Sequence, residues 1–268
     1  MALTNVMPAK TNLDQFRRAR DLLLAKVREH GTLTAADESA ICAIRAQTKA
    51  LAPGEDIVRQ GDRPDVAVFV LAGMLARYHT LPSGDRQYLS FHIRGDLPDV
   101  QGLLLSILDH SLCAMDRAEI AVLPHDPLVD LCLRRPGVGF AFWRLTLVDA
   151  AIFRQAITNN GVRSHAVRLA HFFSEQYFRA REAGLVERDT CSLPLNQSEL
   201  GQALGMSHIS VNRTMQRLRK ERLADLRSGR LAVLNWNALS RFAGFDPTYL
   251  HLDKISKVSQ TRFRTGRR

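Results

Sequence analysis

The stretch "NQSELGQALGMSHISVNRTMQRLRKERL", residues 196–223, constrains the chain more than any other. Asn196 followed three residues later by Glu199 is a capping-box arrangement. The Asn oxygen accepts a free backbone N–H of the first turn, and the Glu reaches back to the N–H of the cap residue. Leu200, Ala203 and Leu204 fall on one helical face, and Gly205 can take the left-handed conformation that a tight turn needs. Ser207 caps a second helix, whose inner face is Val211, Met215 with Thr214, and Leu218. Two short helices joined by a glycine turn form a helix-turn-helix.

The second helix has a distinct outward face. His208, Ile209, Asn212, Arg213 and Gln216 lie one and four residues apart, so they share a side. Those residue types suit the major groove of double-stranded DNA. Arg can bond guanine bidentately, Asn or Gln can do so to adenine, and Ile can meet a thymine methyl. Arg217, Arg219, Lys220 and Arg222 follow and suit phosphates.

The plainer reading is a solvated helix, since Arg and Lys are good helix formers. Two features argue against it. Net charge is +10, yet residues 1–160 hold 18 Lys and Arg against 18 Asp and Glu, while residues 161–268 hold 19 against 9. A surface kept basic for solubility would spread that excess evenly; a polyanion partner explains its concentration. The second feature is the hairpin "LADLRSGRLAVLNW", turning at Ser228-Gly229, which supplies a wing beside the two helices.

Upstream the hydrophobic period changes twice. Residues 1–11 read as a leader, and 12–29 as a helix with Leu13, Phe16, Leu23 and Leu24 on one face. A short helix follows, capped by Thr34. From about residue 50 to 124, short β-branched and aromatic runs are punctuated by Gly61-Asp62, Gly73, Pro82-Ser83-Gly84 and Gly95-Asp96. That spacing predicts a small antiparallel β-barrel or roll. A short helix ends at Pro136, and a longer one carries Val138, Phe142, Leu145, Val148 (or Asp149), Ile152 and Ala156 at steps of three and four. This seam leaves two readings open: a helix packed on its own roll, or a helix pairing with its twin. Asn159-Asn160-Gly161 reads as a hinge-like break, "VRSHAVRLAHFFSEQYFRAREAG" as a further helix, and "LVERDTCSLPL" as a linker.

The layout resembles the Crp/Fnr family of bacterial transcription regulators, over residues 35 to 250 and most strongly over "LPLNQSELGQALGMSHISVNRTMQRLRKERLADLRSGRLAVLNW". "FDPTYLHL" resembles an alphaproteobacterial subgroup. The implied fold class is α+β. An N-terminal leader and helix (1–34) precede an effector-sensing β-roll with flanking helices (35–135). A dimerisation helix (136–160), a winged helix-turn-helix (161–250) and a basic tail (251–268) follow. The resemblance places Arg213 at the family's base-reading position and His208 and Ile209 at variable specificity positions. It assigns backbone phosphate contacts to Asn196, Ser198 and Ser207, and puts Arg227 in the wing. It makes Phe142, Leu145, Val148 and Ile152 the dimer seam of a cytoplasmic homodimer on an inverted-repeat operator. RNA polymerase and an unidentified small-molecule effector are the further partners it implies.

The effector site departs from the cyclic AMP-binding members. Gly95, Asp96, Leu97 and Asp99 stand where the family has its glycine–acid turn and mark the expected pocket. Yet "GLLLSILDHSLCAMD", residues 102–116, contains no Arg or Lys to receive a cyclic phosphate. Tight cyclic AMP binding is therefore not expected. No cofactor is expected either. Only Cys42 precedes Cys113, Cys132 and Cys191, so the family's N-terminal iron–sulfur cluster lacks its ligands. His79, His92, His110 and His125 read as structural residues rather than haem ligands.

Other classes fare worse. No Gly-rich phosphate loop, G-x-S-x-G, H-E-x-x-H or metal-ligand spacing is present, so no enzyme is indicated. No uncharged apolar run reaches the roughly 18 residues of a membrane span. The remaining alternative is a ligand-binding module whose helical C-terminal part contacts protein rather than DNA.

Overall fold

The computed structural model describes residues 12–252. The expected leader and residues 253–268 of the expected basic tail lie outside the described residues. Two helices, α1 (Asn12–His30) and α2 (Ala35–Cys42), lead into seven strands. These are β1 (Gln47–Leu51), β2 (Asp56–Val58), β3 (Val66–Ala72), β4 (Leu75–Thr80), β5 (Arg86–His92), β6 (Ser111–Ala114) and β7 (Ala118–Pro124). They form two antiparallel sheets, ordered β1-β7-β3 and β2-β6-β4-β5. Leu51, Val58, Val68, Val70, Leu75, Leu112 and Ile120 fill the space between them.

The outer faces of both sheets are covered as well, which explains why β3 reads "VAVFVLA" without polar alternation. Ala67, Phe69 and Leu71 point outward and pack with Ala19, Leu23 and Val27 of α1, Leu128 of α3 (His125–Arg134), and Val138 and Phe142 of α4 (Pro136–Val162). On the other sheet, Ala76, Tyr78, Tyr88, Phe91 and Cys113 share one apolar cluster with the C-terminal head. The Phe91 and Phe172 rings meet edge-on at 5.5 Å. The head is thus docked on the roll by a common core.

The head comprises α5 (His165–Glu182), β8 (Thr190–Ser192), α6 (Gln197–Leu204), α7 (His208–Lys220), β9 (Ala224–Arg227), β10 (Arg230–Val233) and α8 (Trp236–Ala243). Its sheet is ordered β8-β10-β9. The expected linker 185–195 therefore contains a strand: Leu231 of β10 pairs with Cys191 on one side and Leu226 on the other. The turn Ser228-Gly229 has both residues at positive φ, as the tightest hairpin connection requires.

Two expectations about α4 need correcting. The helix does not break at Asn159-Asn160-Gly161; it runs to Val162 and ends where Arg163 and Ser164 become extended. The two Asn side chains donate to carbonyls outside the helix, Asn159 to Arg168 at 3.1 Å and Asn160 to Ala203 at 3.1 Å. These bonds draw α5 and α6 against a continuous helix.

The expected dimer seam faces inward. Phe142 is 4% exposed in the core against α1, Leu145 packs beside it, Ile152 packs against the head cluster, and Val148 is half-buried. The opposite face carries Trp143, Leu147, Ala150, Arg154 and Ile157, at steps of four, three, four and three. Trp143, Leu147 and Ile157 are 58%, 53% and 73% exposed. By length and composition α4 is apolar enough to cross a membrane. It nevertheless carries Arg144, Asp149 and Arg154, and its inner face is occupied by the roll.

Candidate nucleic-acid interface

The helix-turn-helix is held by local chemistry. Asn196 Oδ1 accepts the Glu199 N–H at 3.0 Å, and Glu199 Oε2 accepts the Asn196 N–H at 2.7 Å. Gly205 adopts φ +61°, closing α6 in the left-handed conformation. A second glycine matters as much. A Cβ on Gly201 would lie 2.6 Å from the Met206 carbonyl oxygen, so the turn can fold back only over glycine. Ser207 caps α7, accepting the Ser210 N–H at 3.2 Å. Arg168 of α5 locks the turn from beneath, donating to the Leu204 carbonyl at 2.8 Å and the Arg163 carbonyl at 3.1 Å. Its guanidinium ties the end of α4 to the turn, a link that the sequence does not advertise.

α7 divides by face as its spacing predicts. Val211, Thr214, Met215 and Leu218 are buried, whereas His208, Arg213 and Gln216 are exposed and Ile209 is 71% exposed. Asn212 is half-buried and already engaged: its Nδ2 donates to Gln197 Oε1 at 3.1 Å, and its Oδ1 accepts from Gln216 Nε2 at 2.9 Å. Gln197 is thus part of this surface, although its place at the start of α6 gave no sign of it.

The flanking cations are paired in the free protein. Arg217 donates to Glu221 at 2.7 Å and lies 5.3 Å over the Phe242 ring. Arg219 of α7 and Arg227 of β9 converge on the Asp225 carboxylate, at 2.8 and 2.7 Å. The Arg217–Glu221 pair is exposed, and such pairs hold little free energy in water. Asp225 is half-buried, but the two Arg side chains on it are more open to solvent, so a phosphate can compete for them. Lys220 and Ser198 are exposed. The Asn196 and Ser207 oxygens are used as caps, leaving the Asn196 amide N–H groups for other contacts, while the Ser207 hydroxyl donates to Ser210 Oγ at 3.0 Å and would have to turn from it to reach a phosphate.

The roll treats its charges differently. The four residues expected to line an effector pocket have four different surroundings. Gly95 forms a turn at φ +93°. Asp96 bonds Arg179 of α5 at 2.7 Å and lies 3.6 Å from Lys26 of α1. Leu97 belongs to the core against α1 and α4. Asp99 is buried, accepts the Val68 N–H at 2.8 Å, and has no partner on its other oxygen among the described residues. Burial pushes the Asp99 carboxyl up to about 7, against a smaller opposing pull from the Val68 N–H.

Beside it stands Arg77 of β4, buried on the inner face. It bonds Asp149 of α4 at 2.6 Å, the Pro98 carbonyl, and Ser90. It connects the turn to the long helix across 72 residues of sequence. His92 bonds Ser90 at 2.9 Å, and burial holds its imidazole well below the usual range, with Arg77 adding to the effect. His110 bonds Asp109 at 2.7 Å and His79 lies 2.9 Å from the Asp109 carbonyl. All four cysteines are free thiols, and among the described residues no three His, Cys, Asp or Glu side chains converge to hold a metal.

Roll, long helix and head leave a cleft of about 470 Å³ between them, lined by Tyr88, Phe91, Phe153, Asn160, Phe172 and Ala203 among others. Arg179 donates to the Phe91 carbonyl at 2.8 Å and Arg94 to the Ala183 carbonyl at 2.7 Å, beside the Asp96 pair. Gln87 of β5 donates to the Gln202 carbonyl of α6. The head is therefore held by polar bonds around the rim of its apolar contact.

Comparison with known proteins divides the chain along the same lines. Residues 48–135 match the cyclic nucleotide-binding domain, and residues 167–242 match the Crp-like helix-turn-helix domain. The transcriptional activator protein Anr of Pseudomonas protegens is 23% identical over 237 residues, covering 88% of this chain and 97% of that protein. The fumarate and nitrate reduction regulatory protein of Yersinia pestis is 23% identical over 198 residues, covering 73% and 78%. Among solved structures, FixK2 from Bradyrhizobium japonicum superposes with a TM-score of 0.68 at 18% identity, covering 76% of this chain and all of that one.

Proposed function

From the premise that the chain belongs to the Crp/Fnr family of transcription regulators, with a cyclic nucleotide-binding domain ahead of a Crp-like helix-turn-helix, we propose that it binds an inverted-repeat operator in the cytoplasm as a homodimer. The carrying observation is the face of α7. Arg213 is exposed and has no partner among the described residues, beside exposed His208, Ile209 and Gln216 and between capped helix ends and a basic wing. These side chains read bases; Asn196, Ser198, Ser207, Arg217, Arg219, Lys220 and Arg227 hold phosphates.

The stripe Trp143, Leu147, Ala150, Arg154 and Ile157 supports pairing of two α4 helices at coiled-coil spacing. Two recognition helices then address half-sites about 10–10.5 bp apart. Leu147→Asp places a charge in that seam and should turn a dimer into a monomer by light scattering while leaving the fold intact.

Cyclic AMP is not the effector in this reading. Arg77, the guanidinium on the inner face of the roll, is committed to Asp149, Ser90 and Pro98, so a cyclic phosphate has no partner there. Control passes instead through the bonds joining roll, α4 and head.

The test is a mobility shift on inverted-repeat DNA across a salt series. Specific binding should weaken steeply as salt rises. Arg213→Ala should lose about 1–3 kcal/mol at one base pair per half-site and little elsewhere. A protein that shifts no duplex specifically under any condition contradicts the proposal and favours a helical part that contacts protein.

A further inference from the structure

Resting on that reading of α7 as the base-reading helix, we infer that Gln197 is a positioning residue that sets the hydrogen-bond polarity of Gln216. The three amides Gln197, Asn212 and Gln216 form a chain from the first turn of α6 to the exposed face of α7. A side-chain amide has two unlike ends, an acceptor oxygen and a donor NH2. Each bond in the chain therefore fixes the orientation of the next group.

Gln197 presents its oxygen to Asn212, so Asn212 must donate with Nδ2. Asn212 Oδ1 then faces Gln216, so Gln216 must donate with Nε2. Gln216 is left with Oε1 and one N–H toward the groove. Were the chain reversed, Gln216 would present its full NH2 group there, and a different base edge would fit.

Asn212 is engaged at both ends of its amide and half-buried. It transmits the orientation rather than reading a base. The free NH2 of Gln197 can only donate. An acceptor-only group brought to this edge by the duplex, a phosphate above all, can bond Gln197 through N–H and not through oxygen. The approach of the DNA backbone thereby holds the chain in one direction, and a sequence-independent contact fixes the register of a sequence-reading one.

The test measures Kd for duplexes in which each base pair of the half-site is changed in turn, with wild type, Gln197→Ala, Gln197→Glu, Gln216→Ala and the double variant Gln197→Ala/Gln216→Ala. None of these touches the Asn196–Glu199 capping box that holds α6. Wild type should prefer one base at the Gln216 position by at least about fivefold, the lower end for a good amide contact. Gln197→Ala should reduce that preference to about twofold or less, as Gln216→Ala does, and the double variant should add nothing. Preference at the Arg213 position should stay. Gln197→Glu still accepts from Asn212, so it should keep the Gln216 preference while weakening binding to every duplex alike. The inference is overturned if Gln197→Ala weakens all duplexes equally with the preference intact, or if Gln197→Glu erases the preference as fully as Ala does. A wild-type protein with no base preference anywhere would overturn the DNA-reading assignment, and the relay with it.

Discussion

The α7 and wing surface of the head and the interior of the roll both carry charged side chains, but they place them oppositely. On the head, Arg213 and Lys220 are exposed, Arg217 rests in an exposed pair, and Arg219 and Arg227 share the half-buried Asp225 at the surface. In the roll, Arg77, Asp99 and His92 are buried and bonded inward. The difference separates two uses of charge. Exposed, weakly paired cations are free to exchange partners and serve binding. Buried, bonded ones hold elements in a fixed relation, and removing one partner strands the other in a poor solvent.

Three substitutions sharpen that contrast. Asp149→Ala has the largest expected effect: it leaves the Arg77 guanidinium buried without its carboxylate and should cost about 3–5 kcal/mol in urea denaturation. A loss no greater than a surface substitution would show that Pro98 and Ser90 alone satisfy Arg77.

Asp99 gives a smaller, pH-dependent effect. Its folded pKa of about 7 lies above that of an unfolded Asp. The folded chain thus keeps a proton that the unfolded chain releases, and this contribution, full below about pH 4, is lost as pH rises through 7. His30 and His171, lowered to about 3 chiefly by burial, act in the opposite sense, losing stability as pH falls below their ordinary range. Asp99→Asn mimics the protonated acid, so the wild-type stability minus that of the variant should fall between pH 5 and pH 8. A flat difference would contradict the assignment.

Arg219→Ala should have the least effect on stability, below about 1 kcal/mol, because its own side chain is 40% exposed and Asp225 keeps Arg227 as a partner. It should nonetheless weaken binding to specific and random DNA alike and lower the salt slope by about one.

The same contrast decides what the sequence could reveal. The capping box spans four residues, α6 closes on Gly205, and the wing turns at Ser228-Gly229. Such signals are local, and all of them were readable. The polar links of the roll are not local. Arg77 and Asp149 are 72 residues apart, and Arg179 and Asp96 are 83 apart. Nothing in either neighbourhood names the other partner. Hence the sequence does not tell that, of the residues expected at the pocket, Gly95 makes a turn, Asp96 an ion pair, Leu97 a core contact and Asp99 a buried acid.

The α4 seam fails for a different reason. Steps of three and four run through Phe142, Leu145 and Ile152 and equally through Trp143, Leu147 and Ile157. A helix apolar on nearly all sides has no period that tells inside from outside. Packing against α1 and the roll settles it, placing Phe142 in the core and Leu147 at the surface. Gln197 was missed because an amide at the first turn of a helix looks like any solvated residue until its partner on α7 is placed.

The central claim, that α7 reads bases as one of a symmetric pair, is tested most directly by selecting DNA from a random pool with the purified protein and sequencing what it retains. The account predicts an inverted repeat with half-site centres about 10–10.5 bp apart, and loss of one conserved base pair in each half-site when Arg213→Ala is used instead. A pool that stays unenriched, or that yields a single unrepeated site unchanged by Arg213→Ala, would contradict it.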